Sequence, residues 1–258
     1  MTMNNTRLQS MNPSKIVFYA ALLGIFTLIH LLYQGIVRPT AEAAIALQGA
    51  GATTNIWVIL KDFEQQICLS LGIFCLFLIA YKSFRILNEE IVYTFNHLHN
   101  LRDDDGQDLD KMLAELQQSK YKDNEGLQTW INCILRYKNT GNVQHASDAI
   151  KATVEGLSAQ LEAGNNMIRY CIWAIPSIGF VGTVRGIGMA LAKAEEAVAG
   201  DISGMVDKLG VAFNSTLVSL LISLVLMFFL HLLNNQQDLL VIKTQKSCEN
   251  NLLTHLHK

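Results

Sequence analysis

Residues 167–192 form an apolar run with no acidic residue, long enough at about 1.5 Å per residue to cross a hydrocarbon core of about 30 Å as a helix. Three further runs, 16–37, 63–80 and 210–233, meet the same requirement. The second is the shortest, because 56–60 is interrupted by Lys61, Asp62 and Glu64 before the apolar stretch 67–81. Trp57 suits one interface of that span, and Lys82 and Arg85 suit the other. Composition points the same way: 50% of the 258 residues are hydrophobic, 16% are charged and mean hydropathy is +0.25. The predicted fold is all-α, a polytopic membrane protein with four transmembrane helices and a helical domain between spans 2 and 3. The first run exceeds a signal-peptide core and lacks a small-residue cleavage site, so it is expected to be a retained span.

Charge sets the expected orientation. Nine Lys or Arg residues fall in 82–166, against two in 38–64 and two beside four acids in 190–209. Short loops rich in Lys and Arg stay inside, which assigns both termini and the middle segment to the cytoplasm. The segments are then a cytoplasmic N-terminus 1–15, spans 16–37, 63–81, 167–192 and 210–233, outer loops 38–62 and 193–209, a cytoplasmic domain 82–166 and a cytoplasmic amphipathic tail 234–258. Asn12, Pro13 and Ser14 read as a helix start, and Arg38 with Pro39 is expected to end that helix. Within the middle domain, helices are predicted at 88–101, 109–120 and 127–137 and from 143 onward, with turns at 103–106 and at Gly141 and Asn142. Ala149, Ala152, Val154, Leu157 and Leu161 carry the last of these helices on toward the third span. In the tail, Leu239, Leu240, Ile242, Leu252 and Leu253 give one apolar face.

Several chemistries are excluded. A net charge of −2 and a pI near 6.4 provide no basic field for nucleic acid. Cys68, Cys75, Cys133, Cys171 and Cys248 contain no Cys-x-x-Cys pair, so neither a disulfide framework nor a zinc site is expected. Asp103, Asp104 and Asp105 beside Gly106 read as a solvated turn rather than a cation site. His30 reads as a hydrogen-bonded imidazole between helices rather than a proton relay. With no nucleophile elbow, phosphate loop or metal cluster, the chain is not expected to be an enzyme or to carry a cofactor or metal.

The third run carries a pattern that simple spanning does not require. At about 100° per residue, Pro176, Gly179, Gly182, Thr183, Gly186 and Ala190 fall on one stripe, with Phe180 and Ile187 bordering it and Val181 and Arg185 pointing away. Glycine weakens a helix, and in lipid a stripe of it serves close backbone approach. Thr183 adds a hydroxyl, and Pro176 frees a backbone carbonyl in the preceding turn. In the fourth run Ala212, Thr216, Ser219 and Ser223 fall within about 60° of one another with Ser215 beside them, a second small and hydroxylated face.

The pair of patterns, Pro176-x-x-Gly179-x-x-Gly182-Thr183-Val184-x-Gly186 followed by Ala212-x-x-x-Thr216-x-x-Ser219, resembles the MotA/TolQ/ExbB proton-channel family over about 60 residues. The Gly-Thr-Val wording is closest to the TolQ and ExbB branch, whereas two spans ahead of the cytoplasmic domain match MotA. Ser219 stands where the second motif usually has Gly, and Arg185 where the pattern is commonly apolar or aromatic. The resemblance implies a homopentamer in the bacterial inner membrane, with periplasmic outer loops. Its pore helices would surround the single transmembrane helices of two copies of a MotB-, TolR- or ExbD-like partner. Carried over, Thr183 and Thr216 would be the pore hydroxyls, with Pro176, Gly179, Gly182 and Gly186 shaping the pore helix and Ser219 and Ser223 extending the hydroxyl path.

Neither motif span contains Asp or Glu within hydrocarbon depth, yet proton transfer needs an ionisable group. The carrier is therefore expected on another protein, and the resemblance implies that it is an Asp on the partner's helix. Threonine hydroxyls can donate to it or accept from it in either protonation state. The expected function is a proton-driven channel or stator subunit coupling ion flow to mechanical work on the envelope. The competing reading is a non-conducting oligomeric scaffold that anchors the cytoplasmic helices. Arg185 is expected to tether the helix, with Asp62 and Glu64 as candidate partners, the alternatives being a gating or selectivity role and contact with lipid headgroups.

Overall fold

The computed structural model describes residues 11–48, 52, 55–94, 109–119 and 124–249, and among these no strand occurs. Four helical stretches are long and apolar enough to cross a membrane: Lys15–Leu47, Phe63–Glu89, Val143–Leu191 and Ser203–Cys248. The all-α, multi-span class predicted from the sequence is the class observed. The acidic turn at 103–106 and the tail leucines Leu252 and Leu253 lie outside the described residues.

Helix α1, Lys15–Leu32, begins where Ser14 accepts a hydrogen bond from the Val17 N–H at 3.4 Å. The predicted stop at Arg38 and Pro39 does not occur. A π-helical turn, Tyr33–Val37, leads straight into α2, Arg38–Gln48. The proline ring would press on the carbonyl four residues back, and the wider turn around Gly35 gives that carbonyl room. After the short α3, Ile56–Leu60, helix α4 runs Phe63–Thr94, well past the apolar stretch that defines its span.

The remaining elements are α5, Leu109–Gln118; α6, Glu125–Thr140; α7, Val143–Gly164; α8, Asn166–Leu191; α9, Ala194–Val198; and α10, Ser203–Cys248. Gly141, at φ +63°, closes α6 in the left-handed conformation that glycine adopts without strain, and Asn142 caps α7 by accepting from the Gln144 N–H at 2.8 Å. Only Asn165 separates α7 from α8, as the apolar spacing of 149–161 predicts. The fourth span and the described start of the tail lie in one helix, α10, of 46 residues. No Gly or Pro interrupts it after Gly210, so nothing in the backbone ends it. Asp201 starts it by accepting from the Ser203 N–H at 3.1 Å and the Ser203 hydroxyl at 2.5 Å, which holds the Asp201 carboxyl below the usual carboxylate range.

The chain divides into two compact units, 13–79 with 166–231 and 1–12 with 80–165 and 232–258. In the first, α8 and α10 lie antiparallel and α4 packs on both, while α1 leans on α4 through the edge-on contact of Phe18 with Phe74 at 5.1 Å. Ile29, Tyr33 and Val37 pack with Leu60 and Leu69 lower on the same side. In the second, α5, α6, α7 and the end of α10 enclose Leu116, Trp130, Ile134, Ile150, Val154 and Cys248. Cys133 belongs to this core, and burial pushes its thiol up to about 11, which keeps it a neutral packing group.

A buried polar cluster also lies in the second unit. Lys82, 4% exposed, places its ammonium 2.6 Å from the Gly164 carbonyl and 3.0 Å from Asn165 Oδ1. Asn165 Nδ2 in turn donates to Gln237 Oε1 at 2.7 Å and to Asn234 Oδ1 at 3.0 Å. These bonds satisfy the carbonyl at the end of α7 and a cation that has left water. Replacing Asn165 by Leu is expected to lower stability by roughly 1–3 kcal/mol, because both Lys82 and Gln237 lose a buried partner. Thermal unfolding in detergent checks this: Lys82→Met should cost less in the Asn165→Leu background than alone, and strictly additive losses would show that the two side chains do not act as one network.

Candidate functional site: a hydroxyl pair on a glycine-backed seam

The glycine stripe of α8 receives α10 of the same chain. A Cβ built on Gly179 would collide with Ser219, one on Gly182 would lie 2.5 Å from Ser215 Oγ, and one on Gly186 would lie 2.7 Å from the Ala212 Cβ and 2.8 Å from its backbone nitrogen. Gly179, Gly182, Gly186 and Ala190 are all buried, whereas Val181, Val184 and Phe180 are exposed, so the stripe and its outward neighbours fall where helical spacing puts them. Direct helix contact of this kind is what bare helix faces permit in lipid, where apolar area drives association only weakly.

The hydroxyls on this seam separate into two groups. Pro176 has no N–H, which leaves the Ile172 carbonyl unpaired inside α8, and Ser223 Oγ donates to that carbonyl at 3.0 Å. Ser219 Oγ donates to the Thr216 carbonyl at 3.0 Å. Both serines are at most 4% exposed, and both spend their one proton on backbone. Thr183 and Thr216 differ: they are half-buried at the rim of the seam and their hydroxyls meet in a short hydrogen bond. Around them stand the Ala212 carbonyl, 3.1 Å from Thr183 Oγ1, and the Gly179 carbonyl, 3.2 Å from Thr183 Oγ1 and 3.5 Å from Thr216 Oγ1. Each hydroxyl therefore has several acceptors for one proton and can redirect it at little energetic expense.

Arg185 points away from the seam and donates from Nη2 to Glu64 Oε2 on α4 at 2.7 Å. Glu64 is buried, its Cγ lying 3.1 Å from the point a Gly182 Cβ would occupy. Beside it, Gln65 donates to Ser215 Oγ at 3.4 Å, and Cys68 reaches the Ile175 carbonyl at 3.6 Å. Asp62, just ahead of α4, is held above the usual carboxylate range by burial, against the pull of Lys61 and Arg185. Sequence reasoning placed Glu64 only as a candidate tether and did not find Gln65. The signal for both was the polar trio at 64–66, which interrupts hydropathy at the head of a span. His30 is placed beside Gln66, with Nδ1 3.0 Å from Gln66 Nε2.

Among the described residues no group of three or more His, Cys, Asp or Glu is placed to hold a metal ion. Gly186 and Gly188 give an internal control for the seam. Gly186→Ala forces a methyl onto backbone and should destabilise by roughly 1–3 kcal/mol. Gly188→Ala meets nothing within 4 Å and should be neutral or stabilising by up to about 1 kcal/mol. Equal thermal shifts for the two variants in detergent would contradict the observed register.

Comparison with known proteins bears on the segment that holds this seam. No curated protein and no solved structure matches the chain. Residues 122–246 match the MotA/TolQ/ExbB proton channel family, a range that includes α6 and α7 as well as every residue of the α8 and α10 contact described above. The segment of this multi-pass membrane chain that holds the glycine-backed seam and the threonine pair is thus similar to the MotA/TolQ/ExbB proton channel family.

Proposed function

We propose that the protein is the channel subunit of a proton-driven motor, working with a single-span partner whose carboxylate shuttles protons past Thr183 and Thr216. The observation that carries this reading is the threonine pair itself, a mobile donor and acceptor at the rim of the seam, on helix stretches that hold no acid near it. Helix α8 contains no Asp or Glu, and α10 contains none between Asp207 and Asp238. The protonatable group must then arrive from elsewhere, and a partner helix passing the threonine rim would supply it.

The assembly that fits is a homopentamer with α8 and α10 toward the axis and α1 outside. Trp173, Phe180 and Val184 on α8 and Phe213, Leu217 and Leu224 on α10 leave large apolar side chains exposed on the single chain, available for neighbouring copies and for the partner. The surplus of Lys and Arg in 82–166 supports a cytoplasmic location for that domain and both termini, in the inner membrane. Proton flow would move the partner against the pentamer and so perform work on the envelope.

The test removes the hydroxyls and keeps the shape. Thr183→Val with Thr216→Val should assemble with the partner normally. A partner carboxylate that loses a hydrogen bond worth about 1.5–3 kcal/mol should then pass protons at least about tenfold more slowly. Proton uptake by vesicles containing the purified complex measures this. Wild-type flux in the double variant would remove the threonines from the path, and a wild-type complex that conducts no protons would favour the scaffold reading.

A further inference from the structure

Helix α4 enters its apolar stretch through three consecutive polar residues, Glu64, Gln65 and Gln66, each at most 7% exposed. Burying such a trio is unfavourable unless each side chain finds a partner. Successive helical positions point about 100° apart, so the three serve different neighbours. Gln66 turns to His30 on α1, Glu64 to Arg185 on α8, and Gln65 to Ser215 on α10.

Two of them converge on the seam. The Glu64 Cγ and Ser215 Oγ approach the same bare point on Gly182, at 3.1 Å and 2.5 Å from where its Cβ would be. Gly182 adjoins Thr183, and Ser215 adjoins Thr216, in sequence and on the same helix turns. Gln65 is 1% exposed and its Oε1 makes no hydrogen bond within the protein, although the same amide donates to Ser215. A buried amide oxygen without a donor, set among polar groups, is where an internal water binds.

We infer that Glu64 is a proton-relay residue of the channel, taking protons at the Asp62 end of α4 and passing them through a water held by Gln65 and Ser215 to the Thr183 and Thr216 pair. The inference rests on the reading of the chain as a proton-conducting subunit. In each passage the carboxylate accepts one proton and becomes a carboxyl, then gives that proton to the water. The water releases another toward the threonines, so one proton enters and one leaves. Only O–H bonds form and break. Arg185 keeps its charge throughout and supplies the counter-ion that a buried carboxylate requires. The other charged or titratable groups near Glu64 are Lys61 and Asp62 in the turn before α4, Cys68 one turn on, and Lys208 of α10, which faces Asp62. On the side of α1, His30 is held by Gln66, and Tyr33 of the π-helical turn faces Asp62 and Cys68.

The experiment is proton flux per assembled complex in vesicles, with the co-purifying single-span protein, across a series of outer pH values. Wild type should conduct, with flux that titrates with outer pH. Glu64→Gln should conduct at least about tenfold less and lose the titration. Glu64→Gln with Arg185→Gln removes the unpaired guanidinium and should stay equally slow, which a tether alone would not predict. Glu64→Asp keeps the charge and the fold but shortens the reach, and should titrate with a displaced midpoint. Wild-type flux and profile in either neutral variant overturns the relay. If neither of those assembles, an unchanged profile in Glu64→Asp overturns it. A silent wild type defeats the proton-channel reading, whereas a conducting wild type with normal Glu64→Gln defeats only the relay.

Discussion

Everything at the site depends on how closely α8 and α10 approach. In lipid, burying apolar area brings little, so two helices hold together through dispersion at short range and through hydrogen bonds that find no competitor. Gly179, Gly182 and Gly186 remove side chains at successive turns, and Ser219, Ser215 and Ala212 fill the space one for one. That register is what brings Thr183 and Thr216 together at the rim. With larger residues in the stripe the helices would stand further apart, and Thr183 could not reach the Ala212 carbonyl nor Thr216 the Gly179 carbonyl across the seam.

The same contact settles the polar bookkeeping that the helices create. Pro176 breaks one backbone hydrogen bond in the middle of α8, a loss tolerated in a membrane only if another donor is supplied. Ser223 supplies it. The apparent row of hydroxyls on α10 is therefore not one path. Ser219 donates to the Thr216 carbonyl, Ser223 repairs the break at Pro176, and Thr216 alone stands where its hydroxyl meets another and remains half-buried.

Much of this was legible in the sequence, because it follows from periodicity. Four apolar runs, the bare stripe on α8, the small face on α10 and the near-continuity of α7 with α8 all come from spacing along a single helix. What was not legible depends on other helices or on backbone adjustments. Pro39 looks like a terminator, and only a π-helical turn ahead of it allows α1 to pass into α2. Ser219 and Ser223 look like Thr216 on a helical wheel, and the difference appears only when the carbonyl each one faces is known. Lys82 pairs with a carbonyl and an amide from residues more than eighty positions away, with no acid involved, so no charge pattern announces it.

Helix α4 shows how a short span makes chemistry obligatory. Its uninterrupted apolar stretch, 67–81, covers only about 22 Å at 1.5 Å per residue, less than the roughly 30 Å of hydrocarbon it must cross. The polar residues at both ends of that stretch then lie at depths where water is scarce, and the protein must satisfy them itself. Lys82 at one end does so with the Gly164 carbonyl and Asn165. Glu64 at the other does so with Arg185. A soluble helix of the same sequence would leave both groups in water with no partner needed. Here the shortage of apolar length draws a carboxylate inside the helix cluster and, through the missing side chain of Gly182, sets it against the backbone that carries Thr183. The feature that made this span the least regular of the four in the sequence is thus the one that places an ionisable group against Gly182, the residue before Thr183.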